Sequence, residues 1–230
     1  MIDAPPIALA IETSQRQASV ALGRGGELIE SRELPQLKRH NLELMPTVDA
    51  LMCDHGMGPG DVAEVYVSVG PGSFTGLRVA VATGKVLALA LPSIKLVAVP
   101  TLDVLAAQAP AEVEHVAVCL NTKKDTVYAA TFSPIDEAGV RHPLAPPTLT
   151  TLADLLRDAL PGTTLLGDPL PDVPDGAAVL DPALALPRAE SVYRLGRRLA
   201  DAGEHVDPHA LMPIYAREPE AVSLWKQRHG

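Results

Sequence analysis

The chain opens on three short segments whose apolar residues predict consecutive β-strands. Residues 7–11 form a continuous apolar run, typical of a strand buried on both faces, and residues 18–22 form a second run. Glycines within 23–26 mark a turn before a partly alternating third segment, 27–34. Because the connections are tight, the three segments predict an antiparallel meander.

A helix, a strand and then a second helix follow the meander. The first helix is predicted over about 41–54, with Asn41 as its N-cap and with Pro46 tolerated if the regular helix begins near Glu43. The later elements are predicted as a strand at 65–69, a helix at 74–91, a strand at 96–99 and a helix at 101–109. Buried strands that alternate with helices indicate an α/β lobe.

The second half of the chain repeats the order of elements found in the first. The arrangement strand–Glu12-Thr13–strand is matched by strand–Asn121-Thr122–strand 109 residues later. The elements predicted here are strands at 116–120, 126–132, 163–166 and 177–180 and helices at 151–160 and 190–202. The pattern predicts two α/β lobes of related topology, an amino-terminal lobe over 1–100 and a reduced carboxyl-terminal lobe over 101–230 that includes a crossing helix and tail.

Composition and charge narrow the range of functions. Hydrophobic residues make up 47% of the chain and charged residues 20%, which argues against disorder. A net charge of −9 disfavours independent binding to nucleic acid, and an aromatic content of 3% disfavours platforms for base stacking. The amino-terminal residues lack the pattern of a signal peptide, and no apolar run is long enough to cross a bilayer. We therefore expect a cytoplasmic protein without membrane contact.

The most distinctive segment is Gly70–Arg78, with the sequence Gly-Pro-Gly-Ser-Phe-Thr-Gly-Leu-Arg. It follows a predicted strand and opens a predicted helix, where free backbone N–H groups can bind an anion. A P-loop requires Lys and then Ser or Thr after its last glycine, but leucine and arginine stand there. A nucleophile elbow requires glycines two residues on each side of Ser73, and these are absent. A tight turn with Ser73 as N-cap is therefore favoured, and anion binding by Thr13, Gly72 and Ser73 is the weaker alternative.

Two of the predicted helices carry faces that suit close packing. A stripe of small residues runs along the second helix at Gly76, Ala80, Gly84 and Ala88. Such a stripe lets another backbone approach closely, either within the chain or from a partner. The first helix has an apolar stripe formed by Leu44, Val48 and Leu51, with Met45 and Met52 beside it. Core helices and partner-binding helices share this pattern, and methionine is common in both environments.

The residues predict neither a catalytic constellation nor a metal site. His205 and His209 have the spacing of two ligands on one helical face, but Pro208 lies between them. Glu12, at the end of the first predicted strand, has no second carboxylate at a spacing suited to acid–base catalysis. We therefore expect a protein without catalytic residues, resident metal or other cofactor.

Four segments taken together resemble the TsaB family, also called YeaZ. The segments are Ile11-Glu12-Thr13-Ser14, His40 with Leu44-Met45-Pro46, Gly70–Arg78, and Pro213-Ile214-Tyr215-Ala216-Arg217. The first hundred residues carry most of this resemblance. It implies a two-lobed actin/sugar-kinase/Hsp70-like (ASKHA) fold of the α/β class, with a reduced second lobe.

The resemblance also implies a function and a set of partners. It implies a non-catalytic subunit of the bacterial machinery that forms N6-threonylcarbamoyladenosine (t6A) at position 37 of tRNA. Such a subunit docks on the catalytic relative TsaD, an ATPase called TsaE joins the pair, and tRNA is reached only through the complex. TsaD carries a His-x-x-x-His metal pair, where this chain has His40 and Leu44. The alternative is an ATP-dependent phosphotransferase of the same superfamily that uses Thr13 and the 70–76 turn.

The resemblance further implies a pairing surface formed by the two amino-terminal helices, here about 43–54 and 74–91. The same helices offer a route to a homodimer when the partner is missing. The residues expected at the partner interface are His40, Leu44, Met45, Val48, Leu51, Phe74, Gly76, Leu77, Ala80 and Gly84.

Overall fold

Two mixed β-sheets, each with helices packed on it, make up the protein. The computed structural model describes residues 5–35, 40–122, 125–167 and 169–217, and the side chains of residues 40 and 41 lie outside this description. One sheet has five strands and the other has four. The two-lobed α/β architecture predicted from the sequence is therefore present.

The five-stranded sheet is built from the first hundred residues. Its strands are β1 (Ile7–Glu12), β2 (Ser19–Arg24), β3 (Glu27–Glu33), β4 (Val62–Gly70) and β5 (Lys95–Pro100). They lie in the order β3-β2-β1-β4-β5, with β1, β2 and β3 antiparallel and with β4 and β5 parallel to β1. The predicted meander is confirmed, and the continuous apolar run falls on the central strand, where both faces are buried.

The four-stranded sheet follows a similar but shorter plan. Its strands are β6 (His115–Asn121), β7 (Thr126–Phe132), β8 (Thr148–Thr151) and β9 (Thr163–Leu166), in the order β8-β7-β6-β9. The sequence predicts a helix over 151–160 and does not predict β8. Thr151 ends that strand and also caps the short helix α4 (Leu152–Arg157), because its hydroxyl accepts a hydrogen bond from the Asp154 N–H. The predicted strand at 177–180 is reduced to one bridge between Leu165 and Val179.

Helices cover both faces of the five-stranded sheet. The helices α1 (His40–Asp54) and α2 (Phe74–Ala90) pack on one face, and α5 (Ala189–Asp201) packs on the other. Successive side chains of β1 alternate between the two cores, with Leu9 and Ile11 facing α1 and α2 and with Ala8 and Ala10 facing α5. Alanine on the α5 side leaves room for the rings of Tyr66 and Tyr193, whose centroids are 5.9 Å apart.

A short helix, α3 (Thr101–Ala106), joins the two sheets. Val104 packs in the core beneath α5, whereas Leu102 and Leu105 pack in the core of the second lobe. The division predicted at residue 100 coincides with this junction. α5 and the segment after it return to the first sheet, where the Val206 N–H donates to the Leu96 carbonyl (2.9 Å).

The start of α1 differs from the sequence prediction. The helix begins at His40, so Asn41 lies inside it and is not the N-cap, and Pro46 lies in the second helical turn. Proline has no N–H to donate to the carbonyl four residues earlier, so the helix loses one internal hydrogen bond there. The Thr47 hydroxyl donates to the Glu43 carbonyl (2.7 Å) next to this gap. Burial of the apolar face of α1 thus outweighs the cost of an interior proline.

An ion-pair network fixes α5 to the sheet. Arg197 donates to the buried Glu64 carboxylate of β4 (2.8 Å) and also pairs with Asp201 one turn further along α5. The Tyr66 hydroxyl donates to the same Glu64 carboxylate (2.5 Å). A buried carboxylate is costly unless it is paired, and here a guanidinium and a phenol both satisfy it. None of the helices in the described ranges is both long and apolar enough to span a membrane.

Candidate functional site

The Gly70–Arg78 segment connects β4 to α2, as predicted, and Ser73 is the N-cap of that helix. The Ser73 hydroxyl accepts a hydrogen bond from the Gly76 N–H (3.4 Å). A Cβ on Gly72 would overlap the carbonyl oxygen of Ser14, and one on Gly76 would overlap that of Thr13. The glycines are therefore needed so that this loop can lie directly on the backbone after β1.

The three residues proposed to bind an anion are used inside the protein. The Thr13 side chain is fully buried, and its hydroxyl donates to the Gly76 carbonyl (2.7 Å). The Ser73 N–H donates to the Ser14 carbonyl (2.6 Å). A phosphate cradle needs free donors around an open space, but here the loop backbone, including Gly72, fills that space. Anion binding by Thr13, Gly72 and Ser73 stays a prediction, and in this conformation two of its donors, the Thr13 hydroxyl and the Ser73 N–H, already bind carbonyls of the chain.

Glu12 lies beside this loop without a partner for acid–base chemistry. Its side chain is fully buried, and one carboxylate oxygen accepts a hydrogen bond from the Ser14 N–H (2.5 Å). Burial raises the pKa of the Glu12 carboxyl, and the neighbouring hydroxyls of Ser14 and Ser68 oppose this rise in part. Ser68 is itself 3.0 Å from the Thr101 hydroxyl at the start of α3. The cluster is closed to solvent, so it supports the junction of the lobes rather than a reaction.

On α1, the structure corrects which residues can form a partner surface. Leu44, Val48 and Leu51 are almost fully buried and belong to the core between α1 and the sheet. These side chains cannot contact a partner without unfolding the lobe. Met45 is 45% exposed and remains available, and the side chain of His40 lies outside the described residues.

On α2, the stripe of small residues also faces inward. Leu77 and Ala80 are fully buried, and a Cβ on Gly84 would meet the side chain of Val67 on β4. Gly76 lies against Thr13 as described above. The helix therefore approaches its own sheet closely, and the internal alternative for the stripe is the correct one. Among the α2 residues expected at the interface, Phe74 is exposed, with 39% of its surface accessible.

The exposed apolar side chains of α1 and α2 lie on the opposite side of the two helices. We call them the outer helix face: Leu42 (57% exposed), Met45 (45%), Val86 (63%) and Leu89 (54%). A cavity of about 50 Å³ opens between the helices, with Met45, Met52, Leu87 and Leu91 in its wall. The interface predicted from the sequence does not include Leu42, Val86 and Leu89. The signal was the presence of large apolar residues, Val86 and Leu89, outside the small-residue stripe of α2, which a single packed face does not require.

The described residues contain no group of three or more His, Cys, Asp or Glu side chains arranged to hold a metal ion. An open space of about 440 Å³ lies between β5, α5 and the 140–143 loop. Asp103 lines it, and burial raises the pKa of its carboxyl to about 6. His142 and Arg198 line the same space, but Arg198 donates to the carbonyls of Ala138 (2.6 Å) and Gly139 (3.0 Å). This arrangement fastens a loop and assembles no nucleophile with a base.

Comparisons with known proteins agree with this geometry. The family model for TsaD, tRNA N6-adenosine threonylcarbamoyltransferase, matches residues 29–167, which is more than half of the chain. The tRNA threonylcarbamoyladenosine biosynthesis protein TsaB of Bacillus subtilis is 30% identical over 228 residues, covering 94% of this chain and 96% of the relative. TsaB of Escherichia coli is 26% identical over 232 residues, covering 96% and 98%.

A solved structure gives the same result at the level of the fold. YeaZ from Pseudomonas aeruginosa superposes with a TM-score of 0.76 at 28% identity, covering 91% of this chain and 99% of that one. The actin-like two-lobed fold expected from the resemblance is thereby confirmed. Because the Bacillus relative matches over almost its whole length, the likeness extends beyond the first hundred residues to both lobes. The chain belongs to the TsaB (YeaZ) family of tRNA threonylcarbamoyladenosine biosynthesis proteins.

Proposed function

We propose that this chain is a non-catalytic docking subunit of the bacterial complex that makes t6A in tRNA. Membership of the TsaB family makes it a protein of tRNA threonylcarbamoyladenosine biosynthesis. The proposed partner is a TsaD-like catalytic subunit, and the contact is made through the outer helix face. A TsaE-like ATPase joins the pair, and tRNA is reached only through the complex, since the chain itself carries a net charge of −9.

The observation that carries this proposal is the outer helix face itself. Four large apolar side chains on two adjacent helices are each about half exposed or more (Leu42, Met45, Val86 and Leu89). Scattered exposed apolar residues are common, but a group on one layer of a monomer is typical of a protein–protein contact. Methionine at position 45 borders a small apolar cavity, and its flexible side chain can adapt to a partner's surface.

The filled loop beside β1 supports the non-catalytic part of the proposal. In the described residues the hydroxyl of Thr13 and the N–H of Ser73 are both satisfied by the protein's own carbonyls. A subunit that has closed its own anion site can still keep the rigid scaffold on which α1 and α2 are held. The same outer helix face also offers a contact between two copies of the chain when TsaD is missing.

A charge placed on the outer helix face tests the proposal directly. Val86→Glu combined with Leu89→Glu introduces two carboxylates where a partner's apolar surface would bury them. We expect the affinity for the TsaD-like protein of the same genome to fall by at least about tenfold, because an unpaired buried charge is costly. Affinity is measured by calorimetry with the purified proteins, and circular dichroism checks that the fold is retained.

The control places one carboxylate on a different exposed leucine. Leu149 on β8 is 48% exposed and lies in the second lobe, so Leu149→Glu should leave the affinity unchanged. Equal binding by the double variant and the native chain would rule out the outer helix face as the docking surface. Equal weakening by Leu149→Glu would show that the loss is unspecific.

A further inference from the structure

The Pro213–Arg217 motif, which contributed to the family resemblance, lies in a segment that crosses from one lobe to the other. We call residues 211–217 the strap. At its start, Leu211 is buried in the core beneath α2. The Ile214 N–H then donates to the Val69 carbonyl at the end of β4 (2.7 Å). These two contacts anchor the strap to the first lobe.

Gly70 allows the strap to lie flat on the end of β4. A Cβ at this position would overlap the carbonyl oxygen of Ile214. The φ of Gly70 is +107°, a backbone conformation that residues other than glycine rarely adopt. The strap therefore depends on the same glycine that opens the Gly70–Arg78 segment. This dependence links two motifs that lie 143 residues apart in the sequence, counted from Gly70 to Pro213.

A tilted aromatic contact holds the middle of the strap on α2. The Tyr215 ring lies 5.0 Å from the Phe74 ring, measured between centroids. The Arg78 guanidinium lies over the same Phe74 ring at 3.7 Å from its centroid. Aromatic pairs and cation–π contacts each stabilise the groups that they bring together. The first turn of α2 is thus in direct contact with the strap.

The far end of the strap is bound to the second lobe. One terminal nitrogen of Arg217 donates to the hydroxyls of Thr122 (2.6 Å) and Thr126 (2.7 Å). Both threonines belong to the hairpin between β6 and β7, and the Thr122 hydroxyl in turn donates to the Thr126 carbonyl (2.8 Å). A charged donor gives stronger hydrogen bonds than a neutral one, and this contact is partly buried.

We propose that the strap is a latch that fixes the angle between the two lobes, with Ile214 as its anchor on the first sheet and Arg217 as its anchor on the second. In the described residues the chain otherwise passes between the sheets through α3 and between Ala185, in the core of the second lobe, and Ala189, in the core beneath α5. Rigid-body motion is the default for two lobes joined in this way. The latch goes beyond docking, because it acts within one chain. Its contact with Phe74 places it on the first turn of α2, the helix that also carries Val86 and Leu89 further along.

The latch is tested by the distance between the lobes in the isolated chain. Cys53 on α1 is exposed and accepts a spin label, and Asp158→Cys adds a second label site in the other lobe, where the aspartate side chain is 77% exposed. Cys119 is buried, and burial raises the pKa of its thiol to about 12, so it stays unlabelled. Pulsed electron–electron double resonance then measures the distribution of distances between the two spin labels, one in each lobe.

Arg217→Met keeps the length of the side chain and removes its hydrogen bonds. We expect the distance distribution to broaden about twofold, as released lobes sample more than one angle. Arg194→Met, on an exposed arginine of α5 that pairs only locally with Glu190, is the matched control and should leave the distribution unchanged. Thr122→Val combined with Thr126→Val removes the acceptor hydroxyls and should reproduce the effect of Arg217→Met.

An unchanged distribution in both the Arg217 and the threonine variants would overturn the latch. Loss of the folded circular dichroism signal in both would also overturn it, because the strap would then be part of the core rather than a removable link. Since no partner is present, the outcome does not depend on docking. The latch and the proposed function can therefore fail separately.

Discussion

At Gly76, the carbonyl oxygen of Thr13 occupies the space that a Cβ would fill, and the Thr13 hydroxyl returns a hydrogen bond to the Gly76 carbonyl. A glycine in the first turn of a helix costs up to about 1 kcal/mol relative to alanine. The chain accepts this cost because the close approach ties α2 to the end of β1. The close packing of α2 on the end of β1 therefore requires a residue without a side chain at position 76.

Gly76→Ala should lower the free energy of unfolding by about 1–3 kcal/mol, in spite of the better helix propensity of alanine, because the loop must move away from Thr13. Urea denaturation followed by circular dichroism measures this. The control is Gly60→Ala, since a Cβ there meets no atom within 4 Å, and it should change stability by less than about 0.5 kcal/mol. Equal stability of Gly76→Ala and the native chain would show that the contact adapts.

The titration of the Asp103 carboxyl leads to a prediction about how the stability of the chain depends on pH. Burial raises the pKa of its carboxyl from 3.8 to about 6, so the folded state holds this proton more tightly than the unfolded state. Between these pH values the folded state binds more protons, and the native chain therefore loses stability as pH rises. His142, Arg141, Arg198 and Glu204 line the same space and are present in both proteins compared.

Asp103→Asn removes this titration. The variant should gain stability relative to the native chain as pH rises from 4 to 8, by at most about 3 kcal/mol, since one pKa unit corresponds to about 1.4 kcal/mol. Urea titrations at each pH give the difference. Asp136→Asn is the opposite control: hydrogen bonds from the Val140 N–H and His142 lower the pKa of Asp136, so the same gain should not occur. A difference between the native chain and Asp103→Asn that does not vary with pH would contradict the assignment.

At the scale of elements, the strands and helices were predictable where local sequence decides the outcome. The run at 7–11 could be identified as a central strand because apolar residues on both faces require cover on both faces. Ser73 could be identified as an N-cap from its position before α2. The brief strand β8 escaped because its four residues, two of them exposed, carry little pattern.

The orientation of α1 and α2 could not be predicted in the same way. Leu44, Val48 and Leu51 have the spacing of a buried stripe and also that of a docking stripe, so sequence alone left two alternatives. The sheet decides between them: a helix that must approach β4 closely turns Ala80 and Gly84 toward it. Val86 and Leu89 are then left outside, although they are larger and more apolar than Ala80 and Gly84, which face inward. Close packing here depends on shape more than on hydrophobicity.

At the scale of the whole molecule, the repeat of strand–polar pair–strand predicted two related sheets, and both are present. The hydrogen-bond partners of the polar pairs, Glu12-Thr13 and Asn121-Thr122, could not be predicted, because these partners come from distant parts of the chain. Thr13 in the first hairpin bonds to Gly76, and Thr122 in the second accepts from Arg217. These partners lie 63 and 95 residues away in the sequence. Tertiary contacts of this kind leave no local pattern.

The internal use of both threonines leads to a prediction about nucleotides. A phosphotransferase of this fold would need both hairpins free to face phosphate groups, but the Thr13 hydroxyl already donates to Gly76 and the Thr122 hydroxyl to Thr126. Binding of ATP would have to break these bonds and displace Arg217 from the second hairpin. Calorimetric titration of the isolated chain with ATP and Mg²⁺ should therefore show no saturable binding with a micromolar dissociation constant, which would correspond to a binding free energy of about −8 kcal/mol. Saturable binding in that range would revive the phosphotransferase alternative.

The variant Arg217→Met separates the two explanations of a negative result. If the strap alone blocks the second hairpin, this variant gains ATP binding; if the loop at Gly76 closes the first hairpin as well, it does not. We expect no gain, because the Thr13 hydroxyl would still donate to the Gly76 carbonyl and the Ser73 N–H to the Ser14 carbonyl.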